Sequence, residues 1–253
     1  MTKSRTKPIL RIVLAVATIS SLFFVPWVLV WTWVLPLPDT VQEQVDEAID
    51  HGFDGMIVYV DEAGQPPELY AAGWTDRDNE IPADPHTLFK IASISKLYDA
   101  VAIAKLVNDK SLSLDKTLAD YFPELVGRIE TAEKITLRMM VQHVSGIPNF
   151  TNTPNFWTNP PASNQETLEL VLDSPASFAP GEGYEYSNTN YLLISEIIEK
   201  ELGYGKFQYI EEEILTPLKL TNTFGSLADV NIDDVMSGYY VGIEEDIKTA
   251  DYG

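Results

Sequence analysis

Residues Ile12 to Leu35, IVLAVATISSLFFVPWVLVWTWVL, form a run of 24 without a charge. At a helical rise of about 1.5 Å per residue, such a run is long enough to cross a hydrocarbon core about 30 Å thick. A chain built this way cannot place all of itself in one water-soluble core, so it is expected to divide. The division has a basic tail over 1–11, a transmembrane signal anchor over 12–35 and a folded domain over 36–253. Pro26 would kink the anchor without forbidding it. Lys3, Arg5, Lys7 and Arg11 precede the run, whereas Asp39, Glu43, Asp46, Glu47 and Asp50 follow it. The positive-inside rule then leaves the N-terminus in the cytoplasm and the domain on the outer face of the cell membrane. Trp27, Trp31 and Trp33 fall where an outer aromatic belt would lie. The run is longer than the apolar core of a typical cleaved signal, and TWVLPLPDT offers no small-x-small cleavage site, so the segment is expected to stay attached.

After Leu35, 13 cations face all 38 acidic residues, a formal −25. Such a surface repels phosphate backbones, so nucleic acid is not an expected partner. The absence of cysteine excludes a thiol nucleophile, a thiolate metal site and a disulfide framework. His51, His86 and His143 are scattered and form no His-Glu-x-x-His pattern, so neither metal nor organic cofactor is expected.

Beyond the stiff linker LPLPDT, the segment DTVQEQVDEAIDHG has Val41, Val45, Ala48 and Ile49 on one helical face and Gly52 just past its end. GMIVYVDEAG and PELYAAGWTD, separated by Pro66 and Pro67, are rich in β-branched and aromatic residues and predict a hairpin. RDNEIPADPHT reads as a polar loop. The apolar residues of 93–108 cover most of the helical circumference, predicting a helix buried on nearly every side. Further helices are predicted at 135–143, 165–173, 189–202 and 205–215.

Ser-x-x-Lys occurs three times, as Ser4/Lys7, Ser93/Lys96 and Ser113/Lys116, so the spacing alone is weak. The bland reading makes Ser93 a helix cap and lets Lys96 extend to solvent. The chemical reading starts from the poor nucleophilicity of a serine hydroxyl, which needs a base close by. A lysine three residues on shares a helical face with it, and backbone N–H groups at a helix start can stabilise an oxyanion. Tyr186-Ser187-Asn188 is the only Tyr-x-Asn in the chain and directly precedes an apolar helix. Its tyrosine could share a proton with a serine while the amide orients a substrate.

Five blocks occur in order: FKIASISKLYDAVAIAKL, KSLSLDKTLADYFPEL, ITLRMMVQHVSGIPNF, PGEGYEYSNTNYLLISEIIEK and EEEILTPLKLTNTF. Together they resemble the serine β-lactamase-related family, which includes class C β-lactamases, D-alanyl-D-alanine carboxypeptidases, other penicillin-binding proteins and esterases. The resemblance implies an α+β fold, with an antiparallel sheet flanked by helices, a helical domain, and a site between them. It implies that Ser93 is acylated and that Lys96 accepts its proton. Tyr186 would move protons to the leaving group and activate water, and Asn188 would contact the substrate amide. Whether lysine or tyrosine is the base stays open. His143 and Gly146 would shape the wall of the site. The implied substrates are β-lactams, peptidoglycan stem peptides or small esters.

The family's third motif, Lys-Thr-Gly or His-x-Gly on a late strand, has no counterpart, because no Lys-x-Gly or His-x-Gly is present. Lys248-Thr249-Ala250 has alanine in place of the glycine and follows Tyr186 too soon. The expectation is therefore a hydrolase domain whose last sheet strands and second oxyanion N–H are missing, as if cut from a longer protein. The alternatives are an inactive module that binds a cell-wall fragment or protein, and a non-functional remnant.

Overall fold

The computed structural model describes residues 6–154 and 156–239. These divide into two compact units, one reaching from the N-terminal side to Thr87 and including 236–239, the other spanning Leu88–Val235. The tripeptide Lys248-Thr249-Ala250 and the first residues of the basic tail lie outside the described residues.

In the first unit, the expected single anchor helix is two helices, α1 (Thr6–Leu22) and α2 (Trp27–Val34). The break has a local cause. Pro26 has no N–H with which to continue the helical ladder. The Trp27 indole instead donates to the Leu22 carbonyl at 2.9 Å, satisfying an acceptor that the end of α1 leaves open. Among the described residues, no helix is long and apolar enough to cross a membrane.

Helix α3 (Val41–Asp50) starts at a capping box, with Thr40 and Glu43 each bonding the other's backbone N–H. Its predicted apolar face turns inward around the buried Val45. The predicted hairpin is β1 (Gly55–Val60) against β2 (Glu68–Asp76), antiparallel with Gly55 opposite Gly73. Only glycine fits at both positions. A Cβ on Gly73 would lie 2.3 Å from the Asp54 carbonyl, and one on Gly55 2.4 Å from that of Trp74. The polar loop after β2 contains a short third strand, β3 (Ile81–Pro82), which extends the order to β1-β2-β3.

The second unit is helical. It contains α4 (Ser95–Asn108), α5 (Leu118–Tyr121), α6 (Leu137–Val141), α7 (Asn164–Glu169) and α8 (Asn188–Leu202). After these come α9 (Lys206–Ile210), a π-helical turn over Glu211–Leu215, and α10 (Thr216–Leu218). Helices α6 and α7 are shorter than predicted. Helix α8 is the centre of the core, burying Leu193, Ile194, Ile197 and Ile198 against Leu118, Ile135, Leu137 and Met140.

Helix α4 departs from the sequence expectation. Ala102, Ile103 and Leu106 are buried, but Ile94, Leu97 and Val101 are exposed at 56%, 66% and 45%. The apolar residues that seemed to surround the helix therefore belong to two faces, of which only one packs into the core of this unit. Helical periodicity shows that a face is apolar and does not show what covers it.

Candidate active site

The site is built where the start of α4 meets the start of α8. Ala92 has φ +43°, the left-handed region that a residue with a Cβ rarely adopts. Ser93 follows inside a 3₁₀ turn, Ala92–Ile94, ahead of the first turn of α4. Its side chain therefore does not serve as the helix cap. Instead, Ser93 Oγ lies 2.8 Å from the Tyr186 hydroxyl and accepts from Lys96 Nζ at 3.3 Å. The ammonium also stands 5.2 Å from the centre of the Tyr186 ring and 5.5 Å from that of Tyr191.

Tyr186 is brought here by its neighbours. Glu185 N donates to the His143 carbonyl at 3.0 Å, and Ser187 N donates to His143 Nδ1 at 3.1 Å. Asn188 N donates to Asn149 Oδ1 at 3.1 Å. The residues on either side of Tyr186 are thus tied to the 143–149 segment, and the phenol projects toward Ser93. Burial alone would raise the phenol's pKa. The hydrogen bonds from Lys96 and Ser93, with the Lys96 charge, outweigh that and hold it below the ordinary tyrosine range.

Of the four predicted site residues, Ser93, Lys96 and Tyr186 share one hydrogen-bonded cluster. Asn188 is bonded instead to Asn149, whose Oδ1 also accepts from Asn188 Nδ2 at 3.4 Å. Asn149 is buried and was not singled out in the sequence, where a lone asparagine after a proline reads as a turn residue. Gly146 has φ +78°, and a Cβ there would meet the Phe178 carbonyl at 2.0 Å, so glycine is required. Among the described residues, no group of acidic or histidine side chains has the arrangement of a metal site.

A serine hydroxyl in contact with an ammonium and a depressed phenol is the arrangement of a serine hydrolase that uses no histidine base. Comparison with known proteins agrees. The β-lactamase family model matches residues 37–250, and the chain belongs to that family. Protein flp of Staphylococcus aureus (strain MW2) is 28% identical over 196 residues, covering 74% of this chain and 39% of flp. Penicillin-binding protein 4* of Bacillus subtilis (strain 168) is 26% identical over 203 residues, covering 78% of this chain and 44% of that protein. The chain thus spans about two fifths of the length of these curated relatives. Among solved structures, the D-amino acid amidase of Ochrobactrum anthropi SV3, complexed with L-phenylalanine amide, superposes with a TM-score of 0.72 at 28% identity. That match covers 79% of this chain and 57% of the amidase. The fold is accordingly β-lactamase/transpeptidase-like, helix-rich with a small sheet.

Proposed function

We propose that this chain carries the acyl-transfer centre of a membrane-attached serine hydrolase, with Ser93 as nucleophile. The observation that carries the reading is the convergence on one hydroxyl of the Lys96 ammonium at 3.3 Å, from α4, and the Tyr186 phenol at 2.8 Å, from the loop before α8. The Ser93 Oγ–H bond breaks as Oγ adds to the substrate carbonyl, and the proton passes to the Tyr186–Lys96 pair. Collapse of the tetrahedral adduct expels an amine or alcohol, which takes that proton. Water, deprotonated by the same pair, then cleaves the Ser93 ester and regenerates the hydroxyl. The depressed phenol suits this role, since a proton acceptor works best when its pKa lies near the operating pH. Asn188, bonded to Asn149, engages the amide side of a substrate in this reading. β-Lactams, peptidoglycan stem peptides and small esters or amides fit the reaction. The likeness to the D-amino acid amidase supports an amide.

Attachment would run through residues 12–35. Of the described side chains between Ile12 and Leu35, all but Val25 stand exposed, including Phe23, Phe24 and Trp33 at 84%, 87% and 93%. So much contiguous apolar surface is unfavourable in water and favourable in lipid. The cations before it and the acids after it favour an N-terminus inside and the rest outside. Carbonate extraction of membranes, with protease accessibility of a C-terminal tag, tests this; release by carbonate rejects it.

The catalytic reading is tested by intact-mass analysis after exposure to a fluorescent penicillin and to a fluorophosphonate. A one-to-one adduct that disappears in Ser93→Ala supports it. Saturable binding of a stem peptide without an adduct favours the binding module, and an unfolded, protease-sensitive chain favours a remnant.

A further inference from the structure

His143 is read from sequence as a wall residue, yet its backbone is held at φ +58° immediately after α6. The Val144 amide closes that turn on the Met139 carbonyl at 2.9 Å. Glycine or asparagine suits such a position, whereas a histidine there costs on the order of 1–2 kcal/mol. Strain of this kind persists where the surroundings over-determine it, and it invites a search for what the side chain does.

The imidazole is engaged on Nδ1 by two donors: Ser187 N at 3.1 Å and Asn190 Nδ2 at 3.4 Å. The orientation of the Asn190 amide is set because its Oδ1 accepts from Ser145 Oγ at 2.7 Å, and Ser145 Oγ accepts in turn from Ile147 N at 3.1 Å. Ser145, Ser187 and Asn190 are all fully buried. A backbone N–H can only donate, so Nδ1 must present its lone pair and the ring proton must sit on Nε2. The ring lies against Tyr186 at 4.7 Å between centroids and against Tyr191 at 5.3 Å, with the edge of Tyr184 at 6.2 Å. The titratable groups facing it are Lys96 from α4, Tyr184 and Tyr186 from the preceding loop, and Tyr191 from α8.

We propose that His143 is the positioning residue for Tyr186: a neutral, Nε2-protonated imidazole whose Nδ1 pins the backbone after the phenol and whose ring face fixes the phenol's direction toward Ser93. The inference rests on the catalytic reading only for its kinetic consequence, because the tautomer and the phenol's placement are properties of the folded chain. Burial, and secondarily the Lys96 charge, keep the imidazole's pKa below its usual value and therefore keep it neutral at pH 7. Protonation would place a hydrogen on Nδ1 facing the Ser187 N–H and would turn a pinning contact into a repulsion.

The test uses the whole chain labelled with ¹⁵N-histidine and ¹³Cζ-tyrosine. At pH 7 the ¹⁵N spectrum should show His143 Nδ1 as the unprotonated nitrogen. The Tyr186 signal, assigned by its loss in Tyr186→Phe, should titrate below the ordinary phenol range. In His143→Asn, which tolerates the left-handed backbone, Tyr186 should move up toward the ordinary phenol range. Ser93 acylation should then fall about 10- to 100-fold in rate constant at unchanged probe affinity. A protonated Nδ1 in the wild type overturns the proposal. So does a Tyr186 titration unmoved in folded His143→Asn. If His143→Asn does not fold, the wild-type tautomer decides the matter. If the wild type forms no Ser93 adduct, the catalytic reading fails, and the two spectroscopic results still settle this one.

Discussion

Asp99 lies one turn after Lys96 on α4 and is 5% exposed, yet it carries a charge. Lys206, at the start of α9, places Nζ 2.8 Å from Asp99 Oδ1 and donates to Ser195 Oγ of α8 at 2.7 Å. One ammonium thus ties together three helices. At 2.8 Å and an effective dielectric of about 20, the attraction is about 6 kcal/mol. Most of this offsets the several kcal/mol lost when each ion leaves water. The net worth of the pair is therefore small, and the cost of breaking it from one side is large. Lys206→Met should destabilise by about 3 kcal/mol, the lower end of the range for a stranded buried charge, because the lysine side chain is 23% exposed and admits some water. Asp99→Leu with Lys206→Met should recover most of that loss. Urea unfolding followed by far-UV circular dichroism, run as a double-mutant cycle, measures the coupling directly. Additivity of the two single changes, or a Lys206→Met loss below about 0.5 kcal/mol, would refute the claim that the charge is stranded.

Four further outcomes follow from the same coordinates. Ile197→Ala empties a fully buried position on α8 and should cost about 2–5 kcal/mol in the same unfolding assay. Gly146→Ala drives a Cβ into the Phe178 carbonyl and should cost about 2 kcal/mol or more, visible as a lowered thermal midpoint. Because the Tyr186 phenol is depressed, the rate of Ser93 labelling should rise with pH along a limb lying below the ordinary tyrosine value of about 10, and Tyr186→Phe should abolish that limb. His143 has the opposite linkage to a salt-bridged histidine. Its folded pKa is lowered, so the unfolded chain binds the extra proton first. Stability should therefore fall as pH drops below about 6.5, level off below the folded pKa, and lose this component in His143→Asn.

Local chemistry was legible wherever it was decided locally. The apolar spacing of α3 and the glycine just past its end sufficed to read that helix. The hairpin of β1 and β2 followed from β-branched runs interrupted by prolines. Helix α8 was legible as an apolar helix over 189–202, close to its observed span. The anchor run was legible as an apolar stretch with Pro26 as its kink, but the Trp27 indole reaching back to the Leu22 carbonyl at the break is a contact no hydropathy profile contains. Helix α4 was misread as buried throughout, because an apolar residue carries no record of whether a neighbour arrives to cover it.

The sequence by itself determined which chemical groups were available: a hydroxyl and an amine three residues apart, a phenol and an amide on a later turn, and no thiol. Ordered blocks were enough to name their kin. Only the tertiary structure decided that the Ser93 hydroxyl meets the Lys96 ammonium and the Tyr186 phenol at once, because that meeting joins residues 93 apart along the chain. It likewise decided the roles of His143 and Asn149, whose hydrogen bonds hold the turn that carries Tyr186. Side-chain type is written along the chain, whereas distance and direction at a site depend on how separate helices pack.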